Sequence, residues 1–294
     1  MKASSISFFA RARQYYRLAK PGIVYGNLIA AVAGFLLAST DGFNTGLFVA
    51  TMVGTGLVIA AGCVFNNYTD IAIDSKMART KRRALVTGAI KPRPALIYGM
   101  VLLALGFATL IQWTNGLTVL AGIVGIFGYV VLYAVAKRTT IHGTLVGTIS
   151  GSMPPVAGYV AVTNRLDTAA LLLFFVLVFW QMAHFYAIAL FREADYKAAH
   201  IPVLPLVKGV RATKIQIILY IIAFIITTML LPLYGYGGYS FAILLFALGC
   251  WWLYIAIKDF SIRDDTKWAR KVFRFSLYVL LAFSLMLSLA HWLP

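Results

Sequence analysis

Residues 46–83 read GLFVATMVGTGLVIAAGCVFNNYTDIAIDSKMARTKRR. The stretch 46–65 is apolar throughout, and a helix needs about 20 mostly apolar residues to cross the hydrocarbon core of a bilayer. The run then ends in Asn66, Asn67, Asp70 and Asp74, followed at once by Lys76, Arg79, Lys81, Arg82 and Arg83. Its first half decides the fold class. Its second half poses the functional question, because the chain has only 9 acidic residues to place.

Composition points the same way. With 61% hydrophobic and 12% charged residues over 294 positions, the chain could not form an ordinary water-soluble domain. Eight further apolar runs lie near 22–40, 95–113, 117–136, 143–162, 168–191, 213–232, 239–257 and 273–292. The connections are short except at 69–94, 192–212 and 258–272. The expected architecture is a single all-α, polytopic membrane domain over 1–294, a bundle of nine transmembrane helices around a central cavity that opens to the cytoplasmic side.

Charge placement supports that count. With a cytoplasmic N-terminus, nine spans put 25 of the 26 Lys and Arg on the inner side, and only Arg165 falls outside. Cytoplasmic loops carry the excess of basic residues in membrane proteins. The C-terminus is then external. Residues 1–20, MKASSISFFARARQYYRLAK, lack the apolar core and cleavage site of a secretory signal. They read either as a short organellar presequence or as an interfacial amphipathic lead-in, and the lead-in is the simpler reading. Cys63 and Cys250 lie far apart inside apolar spans, so they read as packing residues with no disulfide or metal role.

The net charge of +17 reflects scarce acids. Four of the nine stand in two places: Asp70 and Asp74 after span two, and Glu193 and Asp195 after span six. Both helix ends face the same side, four spans apart, which suggests a parallel repeat. Asp41, Asp167, Asp259, Asp264 and Asp265 fall in loops, where solvation is the simplest expectation.

On one helix, Asn66, Asp70 and Asp74 would form a stripe at i, i+4 and i+8, with neighbouring Cβ atoms about 6 Å apart. Two carboxylates that close repel unless a cation bridges them. Mg²⁺ takes one or two carboxylates together with phosphate oxygens, and the basic run 76–83 would hold the outer phosphate oxygens. The competing reading is two solvated aspartates beside a topological charge run. The stripe begins inside the apolar run and recurs at a matching helix end, which favours the site.

Residues 179–209, FWQMAHFYAIALFREADYKAAHIPVLPLVKG, carry the second cluster. Gln181, His184 and Tyr186 bring polar atoms into span six, which lipid penalises unless they meet a partner or a cavity. His184 is either bonded to a neighbouring helix or turned toward a ligand, with Arg192 and Asp195 on successive turns below it. In span four, Lys137 and Arg138 either serve topology or meet the same anion. In span five, Gly143, Gly147 and Gly151 allow close helix approach, and Pro154-Pro155 break the helix mid-span.

With these stretches in view, the chain resembles the UbiA-type intramembrane prenyltransferases, and within them the branch that farnesylates protohaem IX. The matching pieces are LAKPGIVYGN (18–27), NNYTDIAIDSKMARTKRRAL (66–85), KRTTIHGTLVGTISGSMPPVAGY (137–159) and WQMAHFYAIALFREADYKAAHIPVLPLVKG (180–209). The last is the piece specific to the haem branch; the Asn/Asp stripe marks only the superfamily. Departures are Asn67, Ile71-Ala72 and Ala183, which leave the stripe whole.

The resemblance implies that Asn66, Asp70, Asp74 and Asp195 are catalytic, with Asp70, Asp74 and Asp195 holding Mg²⁺. It implies substrate contacts from Lys20, Asn27, Arg79, Arg82, Arg83, Lys137, Arg138, His184, Arg192 and Tyr196. The donor would be farnesyl diphosphate, the acceptor the vinyl group of haem B, and the products haem O and diphosphate. The setting would be the lipid bilayer of a bacterial inner membrane ahead of a mitochondrial one. No nucleic acid is implied; association with later haem-modifying or terminal-oxidase assembly proteins is. A sister enzyme acting on an aromatic or quinone precursor is the alternative. A small-solute transporter ranks last, because transporters tend to place ionisable groups near the bilayer midplane.

Overall fold

Nine helices long and apolar enough to cross a bilayer occur among the described residues, 8–261 and 264–294, of the computed structural model. They run Pro21–Ala38 (α2), Thr45–Thr69 (α3), Pro92–Trp113 (α5), Gly116–Thr139, Gly143–Thr163, Thr168–Phe191 (α10), Leu204–Leu233 (α12), Tyr239–Lys258 (α13) and Asp265–Ser288 (α14). The fourth span comprises α6 (Gly116–Phe127), a π-helical segment Gly128–Tyr133 and α7 (Ala134–Thr139). The fifth comprises α8 (Gly143–Gly151) and α9 (Met153–Thr163). Before the first span lies α1 (Phe8–Leu18); α4 (Ile71–Asp74) and α11 (Glu193–Ala198) follow the second and sixth. In lipid every backbone polar group must be satisfied within the chain, and helices do this span by span.

Polar residues fix where spans begin. Asn44 accepts from the Leu47 amide at 3.0 Å, Asn115 from Thr118 at 3.0 Å, Asp167 from Ala170 at 3.2 Å and Asp264 from Lys267 at 2.9 Å. Each cap satisfies a donor the helix cannot. Four of the five loop acids are therefore not simply solvated. Asp167 also accepts from the Tyr159 hydroxyl at 2.8 Å, Asp259 pairs with Lys271 at 2.7 Å, and Asp265 meets the buried Lys214 ammonium at 2.6 Å.

Two span limits differ from the apolar runs. The seventh span starts at Leu204, with a kink at Gly209, whose φ of 84° is open to glycine at little cost. The ninth starts at Asp265, since its first turns are helical but charged and so carry no hydropathy signal.

The largest core cluster joins α10, α12, α13 and α14, where Trp252, Trp268, Phe224 and Phe283 are wholly buried. The first and fifth spans meet through small residues. A Cβ on Gly158 would lie 2.0 Å from the Ala31 carbonyl oxygen, and one on Gly34 would lie 2.0 Å from that of Pro155. The expected mid-span break is present at Ser152, with Pro154 and Pro155 in the first turn of α9. Gln181 of α10 donates to the Ser152 hydroxyl there at 3.0 Å. Cys63 and Cys250 are free thiols, and α1 supplies the lead-in from residue 8 onward. Residues 1–7 lie outside the described part.

The two acidic helix ends share a backbone form. The second span stops at Asp70 (φ −96°, ψ 5°) and the sixth at Arg192 (φ −114°, ψ 17°), and each is followed at once by a short helix.

Candidate active site

The stripe of Asn66, Asp70 and Asp74 is not one continuous helix. α3 ends at Thr69, Asp70 leaves helical geometry, and α4 resumes for four residues. Aspartate is a poor helix-interior residue, and here its carboxylate is gripped from another span. Register survives the break, because the Asp70 amide donates to the Asn66 carbonyl at 3.0 Å and that of Asp74 to the Asp70 carbonyl at 2.7 Å. Asn66, Asp70 and Asp74 are 5%, 8% and 4% exposed. Carboxylates so buried are costly unless paired and hydrogen-bonded.

They are paired. Asp70 Oδ2 accepts from Lys137 Nζ at 2.6 Å and from Asn66 Nδ2 at 3.0 Å, and its Oδ1 accepts from Arg138 at 3.0 Å. Arg138 also donates to the Thr69 carbonyl at 2.7 Å. Asp74 accepts from Arg83, and its backbone carbonyl accepts from the Thr80 hydroxyl at 3.0 Å. Asn66 Oδ1 in turn accepts from Lys20 Nζ at 3.0 Å and from the Tyr129 hydroxyl at 3.2 Å, so its amide orientation is fixed.

The second acidic helix end reaches the first. Asp195 accepts from the Ala78 backbone amide at 3.0 Å and lies 4.0 Å from Arg192. Met77, Ala199 and Ile201 form a small buried cluster, with Ile73, Tyr196 and Val203 packed against it. The loops after the second and sixth spans thus form one assembly. Three carboxylates (Asp70, Asp74, Asp195) share it with five cations (Lys20, Arg83, Lys137, Arg138, Arg192). An excess of positive charge beside buried carboxylates suits a multivalent anion.

Other expected residues take no part in these pairings. Asn27 turns back onto its own helix, donating to the Ile23 carbonyl at 2.8 Å. Arg79 and Arg82 are exposed. His184 bonds to Ser276 of the ninth span, at 2.7 Å from Nδ1. Among the described residues no three acid, His or Cys side chains converge as a ready-made metal cluster. Asp70, Asp74 and Asp195 face cations and a backbone amide instead.

Sequence reasoning missed Tyr129 and Tyr133. Both lie in the π-helical segment of the fourth span, where rings 5.8 Å apart stack within 8° of parallel. Lys137 Nζ sits 4.9 Å from the Tyr133 ring centre. The wider π turn shifts register just before Lys137, and such turns concentrate at functional sites. Nothing in the local sequence except Gly125 and Gly128 marks it.

Lys20 is backbone-strained. It is a non-glycine residue at φ 53°, ψ 64° just ahead of the first span. Such left-handed conformations persist where the surroundings impose them, and they cluster at functional sites. Burial pushes its ammonium down to about 8, against an ordinary 10.5. An anion needs the protonated form, so kcat/KM for an anionic substrate should fall as pH rises through about 8. A Lys20→Arg variant, charged throughout, should lose that alkaline limb. An identical limb in the arginine variant would assign it to another group.

The sequence profile described as the UbiA prenyltransferase family matches residues 27–283. The chain is 47% identical over 283 residues to the protoheme IX farnesyltransferase of Enterobacter sp. (strain 638), covering 96% of each chain. It is 48% identical to that of Citrobacter koseri, with the same coverage. Among solved structures, a digeranylgeranylglyceryl phosphate synthase superposes with a TM-score of 0.78 at 18% identity, over 96% of this chain and 98% of that one. A UbiA homolog from Archaeoglobus fulgidus bound to GPP and Mg²⁺ gives 0.72 at 16% identity, over 93% and 99%.

Proposed function

The chain belongs to the UbiA prenyltransferase family, and from that premise we propose that it transfers a farnesyl group from farnesyl diphosphate to a vinyl group of haem B, giving haem O and diphosphate. The observation that carries this reading is the near-half identity, along almost the whole length, to proteins called protoheme IX farnesyltransferase.

The site suits the chemistry. Carboxylates hold Arg83, Lys137 and Arg138 in place in the free protein. An incoming diphosphate competes for those cations and frees carboxylate oxygens as it binds. Asp70, Asp74 and Asp195 are hard oxygen donors of the kind Mg²⁺ takes together with phosphate. Asn67, next to Asn66, donates from Nδ2 to the Leu18 carbonyl at 2.8 Å and leaves its Oδ1 buried with no hydrogen-bond partner among the described residues. These residues therefore fit the ion named with a prenyl diphosphate in the Archaeoglobus relative. When bound, it supplies Lewis-acid neutralisation of the leaving group.

Lys20, Arg83, Lys137 and Arg138 take up the charge that develops as the allylic C–O bond breaks. The faces of Tyr129 and Tyr133 can stabilise a neighbouring allylic cation. The vinyl π electrons form the new C–C bond. Water adds to the resulting carbocation beside the pyrrole and loses a proton, leaving the hydroxyethylfarnesyl group. A chamber within the bundle, opening on the side of the acidic helix ends, would keep bulk water from the cation.

The near-complete segregation of Lys and Arg supports a cytoplasmic N-terminus and an external C-terminus in a bacterial inner membrane. Purified chain should release diphosphate from farnesyl diphosphate in a haem-dependent manner. Chelation with EDTA should stop that release, and excess Mg²⁺ should restore it. Release unchanged by chelation would remove the divalent ion from the account.

A further inference from the structure

His184 is 7% exposed and packed among aromatic rings, with centroids 4.6 Å from Trp180, 4.7 Å from Phe273 and 5.2 Å from Phe185. Its Nδ1 lies 2.7 Å from Ser276 Oγ. That hydroxyl has a single proton and donates it to the Phe273 carbonyl at 2.6 Å. Ser276 Oγ must therefore accept from His184, which places a hydrogen on Nδ1. A neutral imidazole donates at one nitrogen and accepts at the other, so the lone pair is on Nε2. The backbone is pinned as well, because Trp180 Nε1 donates to the Ser276 carbonyl at 2.8 Å.

Nε2 has no hydrogen-bond partner among the described residues. A buried imidazole whose other nitrogen donates to a fixed acceptor has the arrangement that orients histidine toward a metal. Asp70, Asp74 and Asp195 are accounted for at the diphosphate end, whereas nothing among the described residues uses this lone pair.

We propose that His184 Nε2 is the axial ligand to the iron of the porphyrin acceptor, and that Ser276 is the residue that positions it. The proposal rests on haem B being the acceptor. Ligation would hold the macrocycle at one end while the vinyl group meets the farnesyl cation at the other.

Ferric haem B added to the purified full chain should give the absorption and electron paramagnetic resonance spectrum of a nitrogen-ligated iron. His184→Ala should lose that spectrum, and free imidazole should restore it. His184→Gln, which preserves much of the side-chain volume, should lose it without losing thermal stability. Ser276→Ala should retain the ligation type but weaken haem affinity by roughly 10-fold or more, the range seen when groups supporting a metal-bound histidine are removed. Metal-free protoporphyrin IX should bind wild type and His184→Ala alike. Haem binding with an unchanged spectrum in both His184 variants would overturn the proposal while leaving haem as the acceptor. Absence of haem binding by wild type, with prenylation of an aromatic acid instead, would overturn the functional reading and the ligation proposal together.

Discussion

Asp70→Ala is expected to lower prenyl-transfer turnover by roughly a thousandfold or more, the scale of losing a main electrostatic element of an active site. Asp70 is the node of the cluster: one carboxylate orders Asn66, Lys137 and Arg138. Its removal takes away a metal-binding oxygen and lets three substrate-facing groups drift. It also leaves the buried Lys137 ammonium without its partner. Breaking a buried pair from one side costs about 3–5 kcal/mol of stability in other proteins, so the loss of activity must be separated from loss of fold. The pair of variants Asp70→Asn and Asp70→Asn with Lys137→Met makes the separation. The double variant should regain thermal stability relative to the single one yet remain inactive. Recovery of activity in the double variant would mean that Asp70 serves only to neutralise Lys137.

The second large effect concerns the scaffold. Gly158→Val is expected to abolish accumulation of folded protein. The first and fifth spans meet backbone to backbone, and a Cβ at Gly158 would fall 2.0 Å from the Ala31 oxygen and 2.9 Å from the Phe35 nitrogen. Relief requires separating two helices, since a backbone carbonyl cannot rotate away as a side chain can. Overpacking typically costs 1–3 kcal/mol and occasionally more, so about 3 kcal/mol or beyond is expected where both neighbours are backbone. In the membrane, close approach of small residues is itself a main source of helix association. Gly26→Ala, with nothing within 4 Å of the added Cβ, is the matched control and should fold normally. Thermal unfolding of the two variants in detergent compares them; equal stability would contradict the packing account.

The fold was largely legible because its determinants are local. An apolar run of span length is sufficient to mark a helix in lipid, and the basic residues sort by side without reference to any contact. The site was partly legible for the same reason. Asn66, Asp70 and Asp74 sit close in sequence, and Asp195 follows the end of the sixth span as they follow or end the second. What could not be read were pairings between distant elements. The Lys137–Asp70 bond joins residues 67 apart, and the Ala78–Asp195 bond joins residues 117 apart. The break at Asp70 and the π turn at Gly128–Tyr133 follow from those tertiary demands rather than from propensity. Lys214 and Asp265 show the same limit, because an acid in a loop looks solvated until the buried cation it neutralises is located. Asn27 shows the reverse, a polar residue within a matching motif that satisfies only its own helix.

The most direct test of the central claim is the mass of the product. Purified chain supplied with haem B, farnesyl diphosphate and Mg²⁺ should convert the haem to a species heavier by one farnesyl group and one hydroxyl, in which a vinyl group has become hydroxyethylfarnesyl. Unmodified haem under conditions in which the same protein prenylates an aromatic acid would contradict the account.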